Sequence, residues 1–150
     1  MKTLLALLLL IPSLSWGNDD LSGKNLICGL DGNKSIIVLQ FNKNIARVFS
    51  SLNFNSDFWS IHDSSYKYET SLTEINTFYD KFRIIIINRQ NLGVDTTYVM
   101  DYEKDYRTFT DGYCKIAELE RTVNAIESHK NDWKEYKKRE TQSLKEQQKI

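Results

Sequence analysis

The 150-residue chain has one proline, two cysteines, two histidines and six glycines, and its 20 basic residues balance its 20 acidic ones. These shortages narrow the field. Without an excess of charge, nothing draws the chain to nucleic acid or to an acidic membrane surface. Cys28 and Cys114, with so few histidines, cannot supply the four closely spaced ligands of an ordinary zinc site. There is no glycine-rich phosphate loop. No cofactor is implied, and a non-enzyme is expected. Ser60, His62 and Asp63 include triad residue types. Triad members converge in space rather than along adjacent strand positions, so His62 beside Asp63 reads as a surface pair. Asp101, Glu103 and Asp105 alternate and could face a calcium ion. An EF-hand would then need Gly at Tyr106 and Glu at Gly112, so a solvated hairpin loop is the expectation. Asn33-Lys34-Ser35 is a lone glycosylation sequon.

What is present begins with a leader. Lys2 precedes LLALLLLI, Pro12 and the small-residue stretch Ser13 to Gly17. That is the charged, apolar and cleavage-site order of a signal peptide over residues 1–17, with Ser15 at −3 and Gly17 at −1. Its apolar run falls well short of the about 20 residues of a membrane span. Lys2 would leave with it, so 19 basic against 20 acidic residues give the mature chain a formal charge of −1. The remaining 133 residues suit one domain with a modest core. A periplasmic or secreted location makes one disulfide between Cys28 and Cys114 the leading reading. Two free thiols or a metal pair are the alternatives.

Phe82 to Leu92, FRIIIINRQNL, is the most distinctive stretch. Its β-branched run favours a strand. Ile84 and Ile86 would face one side, and Ile85 and Ile87 the other. Both faces are apolar, so a central strand covered on both sides is expected, with the C-terminal helix a candidate cover. Asp31-Gly32 between LICGL and SIIVLQF is a hairpin signal, and Asp111-Gly112 reads as another. Asn42 to Asn44, Asn53 to Asp57 and Asp63 to Ser65 read as further breaks. Thr73 to Tyr79 reads as a strand turning at Asp80-Lys81. The sum is mainly β: an antiparallel meander of eight or nine strands over residues 18–116. Its two cysteines lie in the first and last strands, and a disulfide needs Cα atoms within about 7 Å. The meander must therefore curl into a small barrel or a tightly folded sandwich.

From Ala117 the period changes. Leu119, Val123, Ile126 and Trp133 lie at three- and four-residue spacing, with Lys130 between them. Ala117 to Ser128 is expected to dock as a helix, with Asp132 capping a second segment. The charged remainder to Ile150 would project. Trp133 and Tyr136 have no obvious mate in the chain and are the candidate partner contact.

The succession FNKNIARVF, YKYETSLTEINTF, FRIIIINRQNL and YCKI, with its INRxxL turn and near-terminal cysteine, resembles small exported β proteins from AT-rich bacteria to which no activity is attached. ICGLDGNKSIIVLQFNKNIARV is similar to the opening of the periplasmic C-type lysozyme inhibitors, which are disulfide-tied β-barrels. That family's inhibitory loop carries Ser-Gly-x-x-Tyr. Here Ser64-Ser65-Tyr66-Lys67-Tyr68 lacks the glycine, so no site residue carries over. The expected function is that of a non-catalytic envelope protein, possible inhibitors among them, that binds an envelope macromolecule. The alternative is a small barrel carrying an apolar ligand, with an enzyme ranked last.

Overall fold

The computed structural model describes residues 21–30, 35–55, 58–79, 82–99 and 106–148. The stretch 1–17 expected to be a leader, most of the sequon and the three alternating carboxylates lie outside them. Eight strands are followed by one helix: β1 (Asn25–Leu30), β2 (Ile36–Asn42), β3 (Ile45–Asn55), β4 (Phe58–Thr70), β5 (Glu74–Tyr79), β6 (Phe82–Asn88), β7 (Gly93–Val99), β8 (Tyr106–Ile116) and α1 (Leu119–Gln147). Each strand pairs antiparallel with its neighbours in sequence, and β8 returns to β1, so the meander closes into a barrel. Closure puts Cys28 directly opposite Cys114, and the two are disulfide-bonded across the β1–β8 seam.

Alternation sorts the side chains into two cores. Inside the barrel lie Leu26, Cys28, Ile37, Leu39, Phe41, Ala46, Val48, Tyr68, Ile75, Ile85, Ile87 and Val94. Leu21, just before β1, joins this core at the end where Gly23 N donates to Phe41 O and Phe41 N donates to Lys24 O. Outside the barrel, Val38 and Phe49 pack with Ile126 of α1, flanked by Ile27, Ile36, Ile61 and Ala125. Hydrophobic matter on both faces of a strand is therefore found in β2, whose IIVL run serves both cores.

The isoleucine strand is different. Ile85 and Ile87 are buried inside, as expected, but Ile86 on the outer face is only half-buried. The helix lies over β1, β2 and β4 instead of β6. In a closed ring no strand is central, and one helix can cover only one side.

Two expected turns are absent. Asp63 to Ser65 lies within β4, and Gly112 lies within β8. Gly112 serves a different purpose: a Cβ there would stand 2.4 Å from Val94 Cγ1 and 2.7 Å from Leu30 Cδ2. Glycine lets β7, β8 and β1 approach closely beside the disulfide.

Candidate functional site

Two regions carry polar and aromatic groups beyond what the cores need: the seam between α1 and the barrel, and the inward face of β4.

The seam is a relay of hydrogen bonds. Thr122 is fully buried; its Oγ1 donates to Leu119 O at 2.7 Å and accepts from Gln40 Nε2 at 2.8 Å. Arg47 Nη1 donates to Gln40 Oε1 at 3.3 Å, while its Nε and Nη2 grip Asp63 Oδ1 and Oδ2 at 2.9 and 2.8 Å. Lys130 Nζ closes the chain on Asp63 Oδ2 at 2.9 Å and stands 5.8 Å above the Phe49 ring. The Arg47 hydrogen bonds outweigh desolvation and, with Lys130, hold the Asp63 carboxyl at about 2. A bidentate charge pair of this kind fixes orientation as well as energy. It locates α1 on β2, β3 and β4.

Beyond Lys130 the aromatics meet. Trp133 Nε1 donates to Trp59 O at 3.3 Å, and the Trp59 and Tyr136 rings lie 5.6 Å apart at 52°. Trp59 Nε1 in turn donates to Ser51 Oγ at 2.8 Å. Trp133 and Tyr136, singled out from the sequence as aromatics without a mate, thus share Trp59. Asp132 caps nothing, because α1 is continuous from Leu119 to Gln147. The buried face is also rotated from the expected stripe. Thr122 and Ile126 are buried, whereas Leu119 and Val123 are 58% and 43% exposed. A threonine satisfied by Gln40 and its own helix outcompetes valine here, and hydropathy alone does not reveal it. Likewise Lys130 does not interrupt the docking face; it reaches from it to Asp63.

Trp59 stands beside the turn between β3 and β4, so Tyr136 is held at that end of the barrel. The rest of α1, residues 137–147, runs on for about 16 Å at 1.5 Å per residue. Every residue of this part is exposed except half-buried Glu140. Lys137–Glu140 and Lys138–Glu135 pairs at 2.7 Å, and Gln142 Nε2 to Glu146 Oε1 at 3.3 Å, brace it internally. Lys134 and Lys145 have no acidic partner among the described residues. Leu144 is 54% exposed. No helix among the described residues is long and apolar enough to cross a membrane.

On the inward face of β4, His62 sits opposite Ser50, Ser64 opposite Val48, and Tyr66 opposite Ala46. His62 Nε2 hydrogen-bonds the Tyr66 hydroxyl, and the two rings stack at 5.8 Å and 21°. His62 and Asp63 therefore point to opposite faces and do not form a pair. Sequence reading missed this row because its serines look like a break. Only a strict two-residue count through Tyr68 would have kept it in one strand. No family model, curated protein or solved structure matches the chain.

Proposed function

We propose that this chain is a non-catalytic binding protein of an oxidising compartment, the periplasm or the cell exterior, that engages a macromolecular partner through the projecting end of α1. The observation that carries this reading is the 137–147 extension. A helix exposed on nearly every side is marginal in water, because helical stability comes mainly from packing an apolar face. Here a docked segment starts the helix and the overhang continues it, with Leu144 outward and Lys145 without an acidic partner among the described residues. The overhang is thus presented in a fixed direction before any partner arrives, which lowers the ordering cost of binding. The disulfide supports the compartment, since such bonds persist mainly outside reducing cytosol. The inner core supports binding through the surface over carriage of an apolar ligand. Leu26, Ile37, Leu39, Phe41, Ile75 and Ile87 are bulky side chains buried in the interior, where a carrier would need small ones.

The test is a pull-down from native envelope extract with the full mature chain and with a chain ending at Glu140. A partner retained by the first and lost by the second, with melting temperature unchanged, supports the reading. Equal retention by both chains would refute it.

A further inference from the structure

The inward face of the barrel changes character along its length. Around the disulfide and toward Leu21 it is closed and apolar. Toward the β3–β4 turn it becomes polar: Ser50, His62, Ser64, Tyr66 and Thr77. Register places them together. Ser50 faces His62 across the β3–β4 ladder, and Thr77 faces Tyr68, the inward neighbour of Tyr66 along β4. Tyr66 also packs against the inner core, which confirms the side to which this row points.

The row is graded from outside to inside. His62 is exposed, Ser64 and Tyr66 are half-buried, and Ser50 and Thr77 are buried. The outer end of the row meets solvent at exposed His62. The ladder between β4 and β5 begins only at Lys67–Phe78, so residues 58–66 of β4 pair with β3 alone among the described residues. At the inner end of the row, Thr77 Oγ1 is fully buried without a hydrogen-bond partner. A buried hydroxyl left unpaired is costly, and native structures seldom keep one without a reason.

The geometry points to a binding site for a neutral saccharide along this row, independent of the α1 overhang. Three features select the ligand class. The described side chains of the row carry no charge, so they offer hydroxyl and imidazole contacts and no counter-ion of their own. Four hydroxyls and an imidazole each both donate and accept, which matches a ligand dense in hydroxyl groups. The stacked His62–Tyr66 pair presents ring surface at the outer end of the row, against which the apolar face of a pyranose can lie. An apolar wall with a few convergent polar groups is the usual build of a small-molecule site.

Saturation-transfer-difference NMR on the full disulfide-bonded chain tests this, with maltotriose, cellotriose and N-acetylchitotriose as neutral probes and trigalacturonate as the acidic comparator. The expected result is transfer to at least one neutral trisaccharide, reduced at least fivefold in His62→Ala and in Tyr66→Ala, and unchanged in Leu72→Ala on the far turn. Amide shift changes in the unmodified protein should centre on Ser50, Ser64 and Thr77, a readout that does not depend on the variants folding. Absence of transfer to all three neutral probes would overturn the proposal. So would shifts that map elsewhere, or preferential binding of trigalacturonate.

Discussion

Two truncations separate the docked part of α1 from its overhang. Removing Asn131 to Ile150 deletes Trp133 and Tyr136, both half-buried against Trp59. At about 25 cal/mol per Å² and roughly 100 Å² buried by each ring, their burial stabilises by about 4–5 kcal/mol. The Trp59–Tyr136 ring pair adds about 0.5–1.5 kcal/mol. Ordering two large side chains and a helical segment offsets part of this, so a net loss of about 3–4 kcal/mol is the working figure. For a domain of this size that lowers the melting temperature by on the order of 10–20 °C. Removing only Thr141 to Ile150 takes away exposed residues and should shift it by no more than about 2 °C, within the scatter of surface changes. Thermal melts followed by circular dichroism compare the two. Tryptophan fluorescence adds a second readout: in the shorter truncation Trp133 emission stays blue-shifted and protected from acrylamide. Equal melting temperatures for the two chains would show that the seam around Trp59 contributes nothing, and the docking account would fall.

Four further outcomes follow from particular contacts. Ile85→Asp should destabilise by several kcal/mol through an unpaired buried charge, while Ile86→Asp on the half-exposed face costs about 1 kcal/mol or less; urea titration distinguishes them. Gly112→Ala forces a Cβ against Val94 and Leu30 and should cost about 1–3 kcal/mol in the same assay. Replacing Cys28 and Cys114 by serine removes a bond across a sequence separation of 86 and should cost about 4–5 kcal/mol on the chain-entropy account, read as a lower urea midpoint. With pH, Asp63 and His129 act in different windows. The folded Asp63 value, about 2, lies below its ordinary 3.8, so its stabilisation is present above about pH 4 and lost as pH falls toward 2. As a partly exposed pair it is worth about 1 kcal/mol, and Asp63→Asn should remove that acid limb. Burial pushes His129 below 6.5 against a smaller upward pull from Asp132, and its Nδ1 is buried without a partner. The unfolded chain takes the proton first, so stability drops as pH falls below 6.5, and His129→Gln should flatten that limb of a melting-temperature profile.

The sequence by itself determined the class of fold. Two cysteines in the first and last strands of a short-turn meander leave little choice but closure, and the strand periods and the change at Ala117 are local properties of the chain. Which faces are covered was decided only in three dimensions. Ile86 and Val38 sit in equally apolar runs, yet Val38 is fully buried under α1 and Ile86 is not, because one helix crosses one side of a ring. Thr122 is buried while Val123 is 43% exposed, because Gln40 and Leu119 O satisfy a hydroxyl at the point of contact. Trp133 and Tyr136 find Trp59 across more than 70 residues, and Lys130 finds Asp63 across 67. Such long-range pairings depend on barrel register and helix rotation. Neither leaves a periodic trace in the chain, and so the seam and the polar row of β4 emerge only from the folded protein.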